Sequence, residues 1–179
     1  MLILDIPASE FFDDAKEEFV ETKAVSLRLE HSLVSVSKWE AKWKVPFLSA
    51  KKMTPEQTLD YIKFMTINQN VDPLVYSLLN REHIQKVNDY IADNKTATTF
   101  SNVNSAPNRQ IVTSELIYFW MAQFNIPFEC QKWHLSRLMT LIRIASIKNE
   151  PEKKMSQRAI MSRNQSLNAA RRKAMHTKG

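Results

Sequence analysis

Glycine is almost missing from this chain: the single glycine among its 179 residues is Gly179. Loops that cradle phosphate groups need glycine where the backbone approaches the ligand, so the P-loop and the dinucleotide-binding fingerprint are both excluded. Tight two-residue hairpins also favour glycine, which argues against an all-β fold. The sequence therefore predicts neither of these nucleotide-binding motifs nor a β-rich protein.

Cysteine and long apolar runs are also scarce. Cys130 is the only cysteine, so a disulfide within the chain is impossible and nothing indicates an oxidising compartment. The longest apolar run, residues 116–122, is far shorter than the ~20 residues that a membrane-spanning helix requires. We expect a soluble protein with no membrane partner.

Charge is distributed unevenly along the chain. Residues 1–22 contain seven acidic residues and one lysine, for a net charge of −6, whereas residues 148–179 contain nine basic and two acidic residues, for a net charge of +7. The whole chain carries +6. The two ends therefore carry opposite charges, as in a dipole, and the protein is not uniformly basic.

Two short stretches near the N-terminus have the pattern of β-strands. Residues 2–6 are mostly apolar and end at Pro7, and within residues 19–30 the apolar Val25, Leu27 and Leu29 alternate with polar residues. The two stretches predict a small sheet or hairpin. From Leu33 the apolar spacing becomes helical and continues to the break at Pro46.

Most of the remaining chain is predicted to be helical. Thr54, Pro55 and Gln57 form a capping box with proline at the first helical position. Residues 94–110 are polar turn formers and predict an exposed loop. Further helices are expected to begin near Pro73, Glu82, Thr113, Phe128 and Ser156. The predicted fold is α+β and mostly α, with a small N-terminal β-sheet packed on a bundle of about six helices. Residues 1–148 form this domain, and residues 149–179 form a basic C-terminal helical arm.

Two groups of residues contain the side-chain types of a metal site. Cys130 and His134 have the spacing of metal ligands on a helix, but structural zinc needs four ligands and catalytic zinc three. We interpret them as a packed cysteine and an incidental histidine. The acidic stretch at residues 10–18 lacks the pattern of a calcium loop and predicts a solvated or partner-facing surface. We expect no enzyme activity, metal or cofactor.

The candidate binding residues are aromatic or basic. Trp39 and Trp43 lie four residues apart among lysines, and one of them is a candidate for an exposed anchor. The arm carries a thin apolar line at Ile160 and Leu167, which suits docking against a helix. Its predicted charged contacts are Arg158, Arg163, Arg171, Arg172 and Lys173. A solvated basic tail and a partner-binding arm both remain open.

Several separate stretches carry a resemblance that spans nearly the whole chain. They are LEHSL at residues 29–33, SKWE at 37–40 with Trp43, EQTLDYI at 56–62, NIPFECQKWH at 125–134, MSRN at 161–164 and LNAARR at 167–172. In these stretches the chain resembles the tail assembly chaperones of long-tailed bacteriophages.

The resemblance implies a non-enzymatic protein of virion morphogenesis in the host cell cytoplasm. Such a chaperone binds and shields the helical tape-measure protein while the tail tube is built around it. A second copy of the chain and the tail tube protein are further candidate partners. Two alternatives stay open, a structural virion component of the neck or connector, and a nucleic-acid-binding protein that uses the basic arm.

Limited proteolysis tests the predicted domain boundary. A stable fragment should end between Lys148 and Arg158, because the intervening polar and charged residues predict a linker. Mass spectrometry of the fragment identifies its end. Early cutting within residues 113–145 would contradict the prediction.

Overall fold

The computed structural model describes residues 1–13, 18–50, 52–100, 110–149 and 157–176. It divides into two compact units, Met1–Ser146 and Ile147–Gly179. The predicted boundary at residue 148 lies close to this division, but most of the predicted linker falls outside the described residues. The fold is mostly helical with a small antiparallel β-structure, which confirms the predicted fold class.

Four strands form one extended antiparallel ribbon. Strand β1 (Leu2–Ile6) pairs with β4 (Val25–Leu29), and strand β2 (Ser9–Asp13) pairs with β3 (Glu18–Thr22). Ile6 lies opposite Val25, and Ser9 lies opposite Thr22, so the same register continues past the interruption between the two pairs. The sequence predicted β1, but the one strand expected within residues 19–30 is divided into β3 and β4. It missed β2, because the acidic residues there indicated a solvated surface.

One face of the first strand pair packs on the core, because its side chains alternate between buried and exposed. Leu4 and Leu27 lie opposite each other and are buried, whereas the adjacent Ile3 and Arg28 are exposed. The buried face joins a single apolar cluster with residues of the helices. Burial on one face fixes the register, because a slip of one residue would turn the apolar set towards solvent.

The helices follow the ribbon along the chain, and α1 packs against both α2 and α4. The α-helices are α1 (Leu33–Trp43), α2 (Pro55–Met65), α3 (Arg81–Ala92), α4 (Ser114–Gln123), α5 (Leu135–Asn149) and α6 (Gln157–Ala174). Short 3-10 helices cover Phe47–Ser49, Pro73–Leu78 and Phe128–Lys132.

Local capping explains where several helices begin. The Thr54 side chain accepts a hydrogen bond from the Gln57 N–H, and the Gln57 side chain accepts one from the Thr54 N–H, which confirms the predicted capping box. Ser32 and Asn80 cap α1 and α3 in the same reciprocal way. The segment after Asp72 is helical as predicted, but its geometry is 3-10.

The helix predicted from Phe128 to Lys148 is interrupted near its start. Residues 128–132 form a 3-10 helix, and α5 begins only at Leu135. The cause is tertiary: Ser32 and His134 form an antiparallel bridge, and the Leu135 N–H donates to the His31 carbonyl. Backbone groups held in this pairing are unavailable for a continuous helix.

A buried carboxylate joins three elements. Oε1 of Glu40 accepts a hydrogen bond of 2.8 Å from the Phe47 N–H, and Oε2 accepts one of 2.7 Å from the Ser114 N–H at the start of α4. Glu40 is only 7% exposed. Its charge also lies at the positive end of α4, where an anion is favoured. Glu40 therefore connects α1 to the 3-10 helix at Phe47 and to α4.

Glu40→Gln should lower the free energy of unfolding by about 1–3 kcal/mol. The amide nitrogen of glutamine cannot accept a hydrogen bond, so one of the two buried N–H groups loses its partner. Urea unfolding followed by circular dichroism measures the change. Glu129→Gln, at an exposed position, is the control and should stay within about 0.5 kcal/mol of the parent protein. Equal stability of the two variants would refute this role for Glu40.

Candidate partner-binding surfaces

Trp39 is a core residue, so its predicted role as a partner-binding anchor is wrong. Its relative exposure is 0%, its ring packs edge-on against Phe47 at 5.3 Å between centroids, and its indole N–H donates to the Gln57 carbonyl. The helical position explains this burial, because Trp39 shares the inner face of α1 with Leu33 and Val36. A side chain without accessible surface cannot contact a partner in this conformation.

Trp43 ends α1 and is partly exposed. The Lys42 ammonium nitrogen lies 5.4 Å from the centroid of its ring, a cation–π geometry. Within the part of the chain that the structure describes, the buried indole N–H of Trp43 has no hydrogen-bond partner. The partner-binding role of Trp43 stays a prediction.

Helix α6 contains all the predicted binding residues of the arm. Every α6 side chain whose exposure is described is exposed, including Ile160 at 44% and Leu167 at 46%. The helix carries five basic residues and no acidic one. Isolated helices of this length are marginal in water without a packed apolar face. This composition suits contact with an anionic partner, and the exposed aliphatic side chains add apolar area to that contact.

The five basic residues of α6 do not all project from the same side of the helix. At 100° per residue, Arg171 lies within about 20° of Ile160 and Arg163 within about 60°, on the same face as Leu167. Arg158, Arg172 and Lys173 project from the other side. We define the mixed face of α6 as Ile160, Arg163, Leu167 and Arg171.

An apolar groove between α2 and α3 was missed by the sequence analysis. Its main cavity has a volume of about 630 Å³, and an adjoining cavity of about 470 Å³ shares Met53, Thr58, Ile62 and Ile84 with it. The charged residue on its wall is Glu56. The other lining residues of the main cavity are Pro55, Leu59, Tyr76, Ser77 and Leu79. The sequence could not separate this groove from the core, because both use the same residue types at helical spacing.

The outer part of the ribbon combines acidic and aromatic residues. Glu10 lies directly opposite Glu21, and both are exposed. Phe19 is two residues from Glu21 on the same strand, and it is 69% exposed. Residues two apart in a strand share a face of the sheet. We define the acidic ribbon face as Glu10, Phe19 and Glu21; residues 14–17 of the predicted acidic surface lie outside the described part of the chain.

A buried polar cluster lies where β4 meets α1. Nδ1 of His31 and the Tyr61 hydroxyl share a hydrogen bond of 2.5 Å, and the Ser35 hydroxyl lies 3.4 Å from the same oxygen. Burial, together with the smaller effect of the nearby His134, lowers the pKa of His31 from 6.5 to about 3. His31 is 4% and Ser35 1% exposed, so no substrate reaches this pair. The cluster holds elements together.

His134 extends the cluster to α3. Its Nδ1 accepts hydrogen bonds from the Ser136 N–H and hydroxyl, and its Nε2–H donates to the Tyr90 carbonyl. These partners select the neutral Nε2–H tautomer. Burial is the main cause that lowers the pKa of His134. The Tyr90 hydroxyl donates to Glu30 at 2.7 Å, and burial followed by this contact raises the pKa of Tyr90.

Cys130 is a packed residue, as interpreted from the sequence, whereas His134 is buried and hydrogen-bonded and is therefore not incidental. Cys130 is buried in the 3-10 helix, and both ring nitrogens of His134 already have protein partners. Among the described residues, no three His, Cys, Asp or Glu side chains come together as possible metal ligands. In the same part of the chain, no helix combines the length and the apolar character needed to cross a bilayer.

No family model matches the chain, and neither a curated protein nor a solved structure is significantly similar to it. The phage-chaperone assignment therefore stays a prediction. Three surfaces are candidates for partner binding: the groove between α2 and α3, the mixed face of α6 and the acidic ribbon face.

His31→Asn tests the buried cluster through pH dependence. The unfolded chain binds a proton at His31 below about pH 6.5, whereas the folded chain does so only near pH 3, so stability falls by up to about 1.4 kcal/mol per pH unit between these values. The variant keeps a polar atom near Nδ1 but does not titrate. Between pH 6.5 and about pH 4 it should lose up to roughly 3 kcal/mol less stability than the parent.

Urea unfolding at several pH values measures this difference. His176→Asn replaces an exposed histidine of the described chain and should retain the pH dependence of the parent protein. His134 is present in both proteins, so the difference between the two curves reports on His31 and on its interaction with His134. Parallel curves of stability against pH for His31→Asn and the parent would contradict this prediction. They would mean that the pKa of His31 is the same in the folded and the unfolded chain.

Proposed function

We propose that this protein is a non-enzymatic tail assembly chaperone of a long-tailed bacteriophage, which binds and shields the tape-measure protein in the host cytoplasm. The observation that carries the proposal is the apolar groove between α2 and α3. The resemblance in six separate stretches of the sequence supports the same function.

The groove suits the apolar side of an amphipathic helix. Leu59 of α2 and Ile84 of α3 are partly exposed on its walls, although both also pack on the core. A helix that inserts its apolar residues there removes them and the groove walls from water. Each buried aliphatic side chain contributes about 1.5–3 kcal/mol before the cost of association. A few such contacts give binding that protects the client and still permits release.

Such a groove shields the apolar surface of a helical client from water. A tape-measure protein is expected to be a long helix with repeated apolar positions, and exposed apolar surface promotes aggregation until the tail tube encloses it. A binder that covers one helical face at a time suits this client. The groove requires apolar side chains at helical spacing, so many segments of one long helix satisfy it.

One observation favours a second candidate, nucleic-acid binding. Helix α6 carries five basic residues without an acidic one, as do many segments that contact phosphates. Such binding requires charge alone and falls steeply with salt, whereas groove binding depends on apolar contact. Filter binding to duplex DNA at low and high salt separates the two.

Leu59→Ser with Ile84→Ser should weaken binding to the co-expressed tape-measure protein by about tenfold or more, because two apolar contacts are lost. Affinity pull-down and titration with purified segments of the client measure the loss. Ile111→Ser is the matched control, since Ile111 is 61% exposed and is not among the residues that line the groove. Thermal unfolding checks that all variants remain folded.

Site-specific crosslinking tests the groove without changing its apolar lining residues. A photo-crosslinker at Glu56 should capture the tape-measure protein, whereas one at Lys38, on the exposed side of α1, should not. Capture only at Lys38, or undiminished binding by the folded groove variant, would refute the proposed site. Stoichiometric protein in purified virions would instead favour the structural-component alternative.

A further inference from the structure

The mixed face of α6 and the acidic ribbon face have complementary chemistry. The first combines two arginines with Ile160 and Leu167, and the second combines two glutamates with Phe19. Each therefore offers two charges of one sign beside exposed apolar area. The larger segments agree with this match, since residues 1–22 carry −6 and residues 148–179 carry +7.

The ribbon supplies an independent reason to expect a cationic partner. Glu10 and Glu21 lie directly opposite each other in an antiparallel pair. Like charges at such positions destabilise a sheet, and an isolated pair of strands is at best marginally stable in water. A cation placed over the pair removes the repulsion and adds attraction. The register of the ribbon thus favours a bound basic group at this position.

We propose that the mixed face of α6 in one copy of the chain binds the acidic ribbon face of a second copy. Apolar contact forms between Phe19 and the line of Ile160 and Leu167, and Arg163 and Arg171 pair with Glu10 and Glu21. Each copy carries both surfaces, so the contact closes into a symmetric dimer or continues from copy to copy. This inference does not depend on the proposed tape-measure client.

The sequence leaves open whether the arm is solvated or binds a partner, and the exposed groups of the mixed face indicate the chemistry of that partner. Nucleic acid fits this face less well, because phosphates would leave Ile160 and Leu167 exposed to water. An acidic partner with an exposed aromatic residue covers both kinds of group. The ribbon of another copy has this composition.

Sedimentation velocity over a wide range of protein concentrations tests the proposal at low salt. The parent protein should associate reversibly, and high salt should weaken the association. Reversing the ribbon charges with Glu10→Lys and Glu21→Lys should weaken it by about tenfold or more, as should Arg163→Glu with Arg171→Glu. Circular dichroism confirms that the variants keep their secondary structure.

A matched control comes from the opposite side of α6. Arg158→Glu with Arg172→Glu changes the net charge by the same amount but leaves the mixed face intact, so it should associate within about twofold of the parent. An equal mixture of the ribbon variant and the Arg163/Arg171 variant should associate again, because each supplies the complement of the other's altered face. Reassociation in the mixture demonstrates contact between copies.

Three results would overturn the proposal. The first is a parent protein that stays monomeric at every concentration at low salt. The second is equal loss of association in the Arg158/Arg172 and Arg163/Arg171 variants, which would reduce the effect to net charge. The third is failure of the mixture to associate while both variants remain folded. Loss of tape-measure binding in the groove variant has no bearing on any of these outcomes.

Discussion

The junction between β4 and α1 is the constraint on which the rest of the fold depends. The Glu30 N–H donates to the Met65 carbonyl at the end of α2, and the His31 carbonyl accepts from Leu135 at the start of α5. The Glu30 side chain also accepts a hydrogen bond from the Tyr90 hydroxyl of α3. A buried polar group that loses its partner costs about 1–3 kcal/mol, so these bonds hold three helices in one arrangement. The groove between α2 and α3 takes its shape from that arrangement.

Features set by local sequence were predictable. The capping box at Thr54 involves residues within one turn, and the alternation around Leu27 is a property of the strand itself, so each follows from the sequence without knowledge of the fold. The change of spacing at Leu33 likewise marks the start of α1. These signals predict the class of the fold and most of its helices, because each depends on neighbours along the chain.

Features set by distant parts of the chain were not predictable. The break before α5 follows from pairing with residues 31–32, about a hundred residues earlier. Trp39 and Trp43 have the same residue type and share a helix, yet Trp39 is fully buried, whereas Trp43 packs against the edge of the core and stays partly exposed. The groove was not predictable for a related reason. Leu59 and Ile84 have the residue type and helical spacing of core residues, and the space between them depends on how α2 and α3 pack.

The position of Glu40 has a consequence for synthesis on the ribosome. Its second hydrogen-bond donor, Ser114, lies 74 residues further along the chain, and the His31 carbonyl finds its donor only at Leu135. Contacts of such long sequence separation form late, because loop closure precedes them. A nascent chain that ends before α4 contains a carboxylate that it cannot fully satisfy inside its core. Completion of the N-terminal fold therefore waits until the second half of the protein has emerged.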